Sequence, residues 1–101
     1  MAHTSRERSV VKIAVLNRAW VVVGDYYQDG QTAGIRRGYV VRRWGTTSGL
    51  GELAMNGPTL STVLDPMPGA TWHILASIMV IDCVEAKWTA VMDKLDAGLS
   101  Q

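Results

Sequence analysis

The sequence contains few of the cysteine and histidine residues that form disulfides and zinc sites. Cys83 is the single cysteine in 101 residues, and there are two histidines. One cysteine excludes an intramolecular disulfide and a zinc site made of several cysteines, and it is typical of a reducing compartment. The longest largely apolar run, residues 74–81, is too short to span a bilayer, and residues 1–9 carry no apolar core of a secretion signal. We therefore expect a cytoplasmic protein.

Phenylalanine is absent, and acidic residues are missing from one long segment. Residues 30–51 contain four arginines and no aspartate or glutamate. The net charge is nevertheless only +1, so no overall field attracts the protein to nucleic acid or to a membrane. Almost half of the residues are hydrophobic, which favours a packed core, and the length suits one domain. We predict a flexible tail at residues 1–9 and a single domain at residues 10–101.

Runs of β-branched and aromatic residues predict strands at 10–16, 19–27, 33–44 and 76–84. Two shorter strands are expected within 62–75, around a turn rich in proline and glycine. Gly38 interrupts the third run and predicts a bend or a bulge. Residues 50–55 have the composition of a short helix inside a loop that spans 45–61.

The C-terminal segment changes to a helical period. Val84, Trp88, Val91 and Leu95 recur at the spacing of one helix face, which predicts an amphipathic helix over about 84–97. Asp82 with Glu85 resembles a capping box, and Gly98 is a suitable stop. The acidic polar face of this helix argues against binding to a membrane surface.

Short strands without βαβ alternation predict a mostly β (α+β) protein. The succession of residues 20–30, 39–44 and 71–82 is similar to the pattern of SH3-like and Sm-like small barrels. This resemblance covers residues 10–83 and implies an antiparallel β-barrel. The Gly/Thr-rich loop with its short helix would then be an insertion, followed by the C-terminal helix.

The segment RRWGTTSGLGEL, residues 42–53, combines positive charge, a tryptophan and a mobile backbone. Arginine presents paired donors to a phosphate, and tryptophan offers a flat face to a base. Glycines let backbone N–H groups approach an anion, as in a phosphate nest. The segment lacks the Lys of a Walker A loop, and its match to a dinucleotide-binding motif has no βαβ unit around it. The candidate ligand-binding residues are Arg42, Arg43, Trp44, Gly45, Thr46, Thr47, Ser48, Gly49, Gly51 and Glu52.

An ordinary loop with solvated arginines is the alternative interpretation of the same segment. Side chains alternate along a strand, so Arg42 and Trp44 are expected on one face and Arg43 on the other. Only one arginine is then expected beside Trp44, unless the strand ends there or a second subunit contributes another. Glu52 is expected to brace Arg42 or Arg43, or to contact a ribose hydroxyl.

The remaining candidates have structural interpretations. Trp20 and Trp88 lie on apolar runs and are predicted to belong to the core. His73 has no visible nucleophile beside it and is expected to be a core or surface residue. Cys83 is expected to be buried and inert, and Asp65 to form a turn.

Three blocks, residues 42–54, 57–59 (GPT) and 62–65 (TVLD), resemble a motif of small proteins of tailed bacteriophages and their prophages. About a third of the chain carries this resemblance strongly. The motif marks the family and does not imply an activity. Phages do encode small oligomeric β-rich proteins that sequester nucleotide immune signals, so the resemblance implies an infected bacterial host and suggests this role by class.

Three functions remain open from the sequence. The first is sequestration of a small phosphorylated nucleotide, a cyclic dinucleotide or an ADP-ribose derivative, by a homo-oligomer. The second is a structural or assembly protein of a phage particle, and the third is an Sm-like barrel that binds RNA or single-stranded DNA. An enzyme is not expected, because paired carboxylates, a metal cluster and a histidine-activated nucleophile are all missing. Neither a metal nor a cofactor is expected.

Overall fold

The computed structural model describes residues 11–99, apart from the side chains of residues 19 and 95–99. The predicted tail at residues 1–9 lies outside this range. The predicted strands and both predicted helices are confirmed, close to the expected bounds. The elements are β1 Val11–Leu16, β2 Val21–Asp29, β3 Thr32–Arg43, α1 Leu50–Asn56, β4 Val63–Met67, β5 Ala70–His73, β6 Ser77–Asp82 and α2 Glu85–Leu99.

The strands form one antiparallel sheet in the order β4-β3-β2-β1-β6, with β5 also paired to β3. The long β3 carries β2 along one side and both β4 and β5, in line, along the other. The last strand, β6, returns to pair with β1. The fold is therefore mostly antiparallel β with two helices. The sheet is not closed, and the predicted barrel closure is not confirmed.

A bulge bends the sheet where β2 crosses β3. Gly24 lies opposite Gly38 and Tyr26 lies opposite Ile35, so that one residue of β2 faces two of β3. A Cβ atom at Gly38 would lie 2.1 Å from the carbonyl oxygen of Val23, so this approach requires glycine. The predicted irregularity at Gly38 is confirmed.

The two short strands predicted around the Pro/Gly turn are also confirmed, but they do not form a hairpin. Val40 pairs with Asp65 of β4, and Gly34 pairs with Thr71 of β5, so both strands follow the same side of β3. Pro68 and Gly69 form the break between them. This side of the sheet is thus an edge that carries a proline-containing interruption.

The main core lies between one face of the sheet and both helices. Ile13 and Val23 supply the strand side, and Leu53 and Trp88 supply the helix side, all fully buried. The indole Nε1 of Trp88 donates to the carbonyl oxygen of Ala54 over 3.2 Å, which ties α2 to α1. The prediction that Trp88 belongs to the core is confirmed.

A smaller core lies on the opposite face. It contains the buried residues Ala14, Val22 and Ile35, with Trp72 and Tyr26 packed at its margin. Strand alternation explains the division, because neighbouring residues of β1 and β2 point to opposite faces.

Trp20 was predicted to be a core residue, and that prediction is wrong. Its side chain is 57% exposed. The residue follows the 3₁₀ turn Asn17–Ala19 and precedes the first residue of β2. It therefore lies at the end of a strand, and the apolar run that contains it enters the core only from Val21 onward.

The predicted start and stop signals of α2 are also wrong. Asp82 is the last residue of β6 and forms an ion pair with Lys12 of β1, so it does not cap the helix. The residue before the helix is Val84, whose N–H donates to the carbonyl oxygen of Ala54. Gly98 lies within the helix, which continues to Leu99. No helix in residues 11–99 is long and apolar enough to cross a membrane.

Candidate functional site

A second bulge, at Arg42, determines how the candidate motif leaves the sheet. Val41 pairs with Leu64 and Arg43 pairs with Val63, so Arg42 is an extra residue on β3. Before the bulge the predicted alternation holds, since Tyr39 and Val41 face the main core and Val40 faces the smaller one. At and beyond the bulge, Arg42 and Trp44 line one groove together with Val41. A bulge redirects side chains in this way because it disturbs the alternation of the strand.

This groove has a volume of about 720 Å³ and is open to solvent on one side. Its floor is made of strand residues on the face of the sheet that carries the main core, and its wall is the start of α1. The size lies within the range of about 300–1,000 Å³ that is usual for small-molecule sites. The lining residues are Val15, Val21, Val41, Arg42, Trp44, Leu50, Gly51, Met79 and Ile81.

Trp44 and Arg42 are the two residues of the groove that could bind an aromatic ring or an anion, because the other lining residues are aliphatic or glycine. Trp44 is 44% exposed. Arg42 contacts Asp65 through two nitrogen–oxygen distances of 3.4 Å each, in an exposed position. Contacts of this length between exposed groups contribute little, so a ligand could displace them at small cost.

Arg43 does not line the groove. Its side chain is exposed and makes no ion pair or hydrogen bond with the residues that the structure describes, although its backbone pairs with Val63. Of the two arginines of the motif, Arg42 therefore lines the groove beside Trp44 and Arg43 does not.

The loop at residues 45–49 uses its hydroxyl donors internally. Thr46 Oγ1 donates to the carbonyl oxygen of Gly49 over 2.7 Å. Thr47 Oγ1 donates to Glu52 Oε1 over 3.1 Å, and the backbone N–H of Ser48 donates to the same oxygen over 2.7 Å. The carboxylate of Glu52 therefore occupies the position where a phosphate nest would hold its anion.

Among residues 11–99, the carboxylate of Glu52 contacts Thr47 and Ser48 and forms no ion pair with Arg42 or Arg43, and the alternative contact with a ribose hydroxyl stays a prediction. The hydrogen bond from the Ser48 N–H holds the pKa of the Glu52 carboxyl below its ordinary value, because it stabilises the charged form. The sequence signal for this contact was an acidic residue in the first turn of a predicted helix, where negative charge is favoured. Any anion that bound to this loop would have to displace the carboxylate.

Two threonines from the next loop hold the backbone of the motif. Thr59 Oγ1 donates to the carbonyl oxygen of Gly45 over 2.6 Å, and Thr62 Oγ1 donates to that of Trp44 over 2.7 Å. Gly45 has a φ of +70°, and a Cβ atom there would lie 2.4 Å from the backbone nitrogen of Thr62. The GPT and TVLD blocks of the sequence thus supply the residues that position Trp44. Sequence reasoning did not assign them this role.

The glycines of the motif have different tasks. Gly49 has a φ of +88° at the residue before α1, whereas Gly51 is helical and faces open space in the groove. Gly49 therefore serves the turn, where a Cβ atom would lie 3.9 Å from the Trp44 ring, and Gly51 contributes an open side of the groove. Of the ten candidate residues, three line the groove directly, namely Arg42, Trp44 and Gly51.

Two other concavities contain none of the ten candidate residues. One, of about 370 Å³, lies between β4 and α2 and includes Tyr39 and Lys94. The other, of about 300 Å³, includes the ion pair of Asp25 and Arg37. The groove beside Trp44 is about twice as large as either of them.

Of the residues given structural interpretations from the sequence, His73 and Cys83 lie where they were expected, but Asp65 does not form a turn: it lies within β4, paired with Val40 of β3. His73 is exposed, and its Nδ1 accepts a hydrogen bond from the N–H of Leu75. Cys83 is buried, and burial raises the pKa of its thiol to about 12. Within residues 11–99, no three His, Cys, Asp or Glu side chains cluster closely enough to hold a metal ion.

Comparisons with protein-family models, with curated proteins and with solved structures returned no match for this chain.

Proposed function

We propose that the protein binds a small phosphorylated nucleotide in the groove beside Trp44 and sequesters it without turnover. The observation that carries this proposal is the combination, in one groove, of an exposed indole, an apolar floor and a weakly paired guanidinium. A nucleotide has the matching parts, a flat base and an anionic phosphate.

The base would stack on Trp44 and cover the apolar floor next to it. The phosphate would contact Arg42, which would exchange its long contacts with Asp65 for a charge-assisted pair. Arg43, exposed on the next residue, would add charge near the mouth of the groove. The loop at 45–49 would act through its shape, because its donors already serve Glu52 and Gly49.

The resemblance of the motif to phage proteins supports a biological role for this binding. A phage-encoded protein that holds a cyclic dinucleotide or an ADP-ribose derivative would remove a signal of the host's immune response. Such a role requires tight binding and no chemistry, in keeping with the expectation that the protein is not an enzyme.

We also propose that the fold belongs to the class of SH3-like and Sm-like small barrels. Two features support it: β6 returns to pair with β1, and a 3₁₀ turn at Ile74–Ala76 leads directly into β6. A bulge such as the one at Gly38 would help the sheet to curl around its smaller core, as a barrel requires. An Sm-like barrel that binds RNA or single-stranded DNA remains the alternative within this class, and the net charge of +1 disfavours it.

A thermal-shift panel of the full chain tests the nucleotide proposal. The panel contains cyclic di-AMP, cyclic di-GMP, cyclic ADP-ribose, ADP-ribose, inorganic phosphate and a short single-stranded RNA. We expect a rise in melting temperature with one nucleotide class, and recovery of that nucleotide intact by mass spectrometry. No shift with any nucleotide, or recovery of a cleaved product, would contradict the proposal.

Matched variants tie the binding to the groove. Loss of a base–aromatic stack costs about 1–3 kcal/mol, so Trp44→Ala should weaken binding by about 5- to 150-fold. Trp20→Ala removes an equally exposed tryptophan outside the groove and should leave the affinity unchanged. Arg42→Ala should also weaken binding, whereas Arg36→Ala, an exposed arginine stacked on Tyr27, should not.

A second candidate function has its own supporting observation. Apolar side chains are exposed on β6 and nearby, with Leu75 81% and Ile78 62% exposed, as expected of a protein that assembles with other chains. A structural or assembly protein of a phage particle would use such a surface. Its presence in purified virions at a fixed stoichiometry would support this function, and its absence from them would count against it.

A further inference from the structure

We propose that a second copy of this chain pairs with the exposed edge of β6, around a two-fold axis at Val80. The two edges of the sheet differ sharply. The β4 edge contains Asp65 and Pro66, which discourage the addition of another strand. Residues 77–81 of β6 contain neither a charge nor a proline, and Ile78, Met79 and Val80 are all exposed.

The backbone of β6 presents unpaired hydrogen-bonding groups at Val80. The N–H of Cys83 donates to the carbonyl oxygen of Val11 over 3.1 Å, so Cys83 directs its N–H toward β1. Strand groups alternate in direction, and the register from Lys12 to Val15 is regular. Ile81 and Met79 therefore also face β1, while Val80 directs its N–H and C=O groups away from the sheet.

This edge is complementary to itself. With Val80 opposite the same residue of a second antiparallel copy, the two residues would exchange two backbone hydrogen bonds. Met79 of each copy would lie opposite Ile81 of the other, so apolar side chains would meet on the groove face. An interface of this kind is isologous, which is the usual arrangement in homodimers.

The charges near the edge are compatible with this pairing. Asp82 is the nearest charged residue of β6, and it already forms an ion pair with Lys12 of its own chain. In the proposed register Asp82 would lie opposite Ile78, so no two like charges face each other. A second copy therefore fits this edge without burying an unpaired charge.

The pairing would also join the two grooves. Met79 and Ile81 line the groove at the β6 side, so the floors of the two copies would become continuous across the axis. A ligand in one groove would then lie close to the partner copy. This contact rests on the proposed function, because it requires that the groove bind a ligand. The interface itself does not depend on any ligand.

Sedimentation of the full chain, without ligand, tests the interface. We expect a species of twice the 11.0 kDa chain mass that dissociates on dilution. Val80→Lys would place two like charges face to face and should give a monomer. Leu60→Lys, at a fully exposed residue far from β6 in sequence, is the matched control and should leave the dimer intact.

A disulfide trap tests the register. Directly opposed residues of a hydrogen-bonded antiparallel pair have Cα atoms about 5.5 Å apart, which suits a disulfide. Oxidation of Val80→Cys should therefore give a covalent dimer, whereas the wild-type chain, whose Cys83 is buried, should not.

Circular dichroism would verify that each variant folds. If Val80→Lys does not fold, sedimentation of the wild-type chain and the disulfide trap still test the interface. A monomeric wild-type chain, a dimer that tolerates Val80→Lys in a folded protein, or no covalent dimer of Val80→Cys would each overturn the proposal. Because no nucleotide is used, these outcomes are independent of whether the groove binds one.

Discussion

Gly45 holds the candidate motif in place through a contact that leaves no room for a side chain. Its φ of +70° is unfavourable for other residues, and a Cβ atom would lie 2.4 Å from the nitrogen of Thr62 and 2.5 Å from the carbonyl carbon of Ser61. Both neighbours are backbone atoms, so relief requires the two loops to separate. Separation would break the hydrogen bonds from Thr59 and Thr62 to the carbonyl oxygens of Gly45 and Trp44.

The effect of Gly45→Ala on stability follows from these contacts. The left-handed conformation costs an alanine about 1–2 kcal/mol. Each lost hydrogen bond costs about 0.5–1.5 kcal/mol more. We therefore expect a decrease of about 2–5 kcal/mol in the free energy of unfolding, measured by urea denaturation of the full chain.

Gly30→Ala provides the matched control for this prediction. Gly30 has a similar φ of +63°, but a Cβ atom there would meet nothing within 4 Å. This variant should lose only the conformational part, about 1–2 kcal/mol. If Gly45→Ala were no more destabilised than Gly30→Ala, the interlocking of the two loops would be refuted.

Three further predictions concern single residues. The pKa of the Glu52 carboxyl is lower in the folded than in the unfolded protein, so its contacts stabilise the loop at pH values above the unfolded pKa and are lost as the pH falls through the folded pKa. Glu52→Gln should therefore speed amide exchange at Ser48 at neutral pH, and unchanged exchange would contradict this. Trp88→Ala should cost about 3–5 kcal/mol in urea unfolding, against less than about 0.5 for Trp20→Ala, and similar losses would contradict the burial assigned to each. Cys83 should resist a thiol reagent at pH 8 until the protein unfolds, since its pKa is about 12, and rapid labelling of the folded chain would contradict this.

Periodicity was sufficient to locate the regular elements. The change from alternating to helical spacing after β6 predicted α2, because Trp88 and Val91 share one face of a helix that packs on the sheet. The errors lie at the ends of elements. Trp20 belongs to an apolar run but precedes the strand, and Asp82 resembles a cap but pairs with Lys12 from a distant strand.

Part of the geometry around Trp44 could be predicted from the sequence. Strand alternation predicted that Arg42 and Trp44 share one side of β3, but the sequence left open which of Arg42 and Arg43 faces the loop glycines. The bulge at Arg42 and the threonine contacts from residues 59 and 62 depend on β4 and its preceding loop, which are distant in sequence. The apolar floor is composed of residues from four strands, and local patterns carry no information about which strands become neighbours.

The central claim is that the groove beside Trp44 holds a phosphorylated nucleotide. Calorimetric titration of the full chain with cyclic di-AMP, cyclic di-GMP and cyclic ADP-ribose, repeated with Trp44→Ala and Trp20→Ala, tests it most directly. We predict saturable binding of at least one of the three compounds that Trp44→Ala weakens by about 5- to 150-fold and Trp20→Ala leaves unchanged. Absence of binding to all three, or equal affinities of the wild type and Trp44→Ala, would contradict the claim.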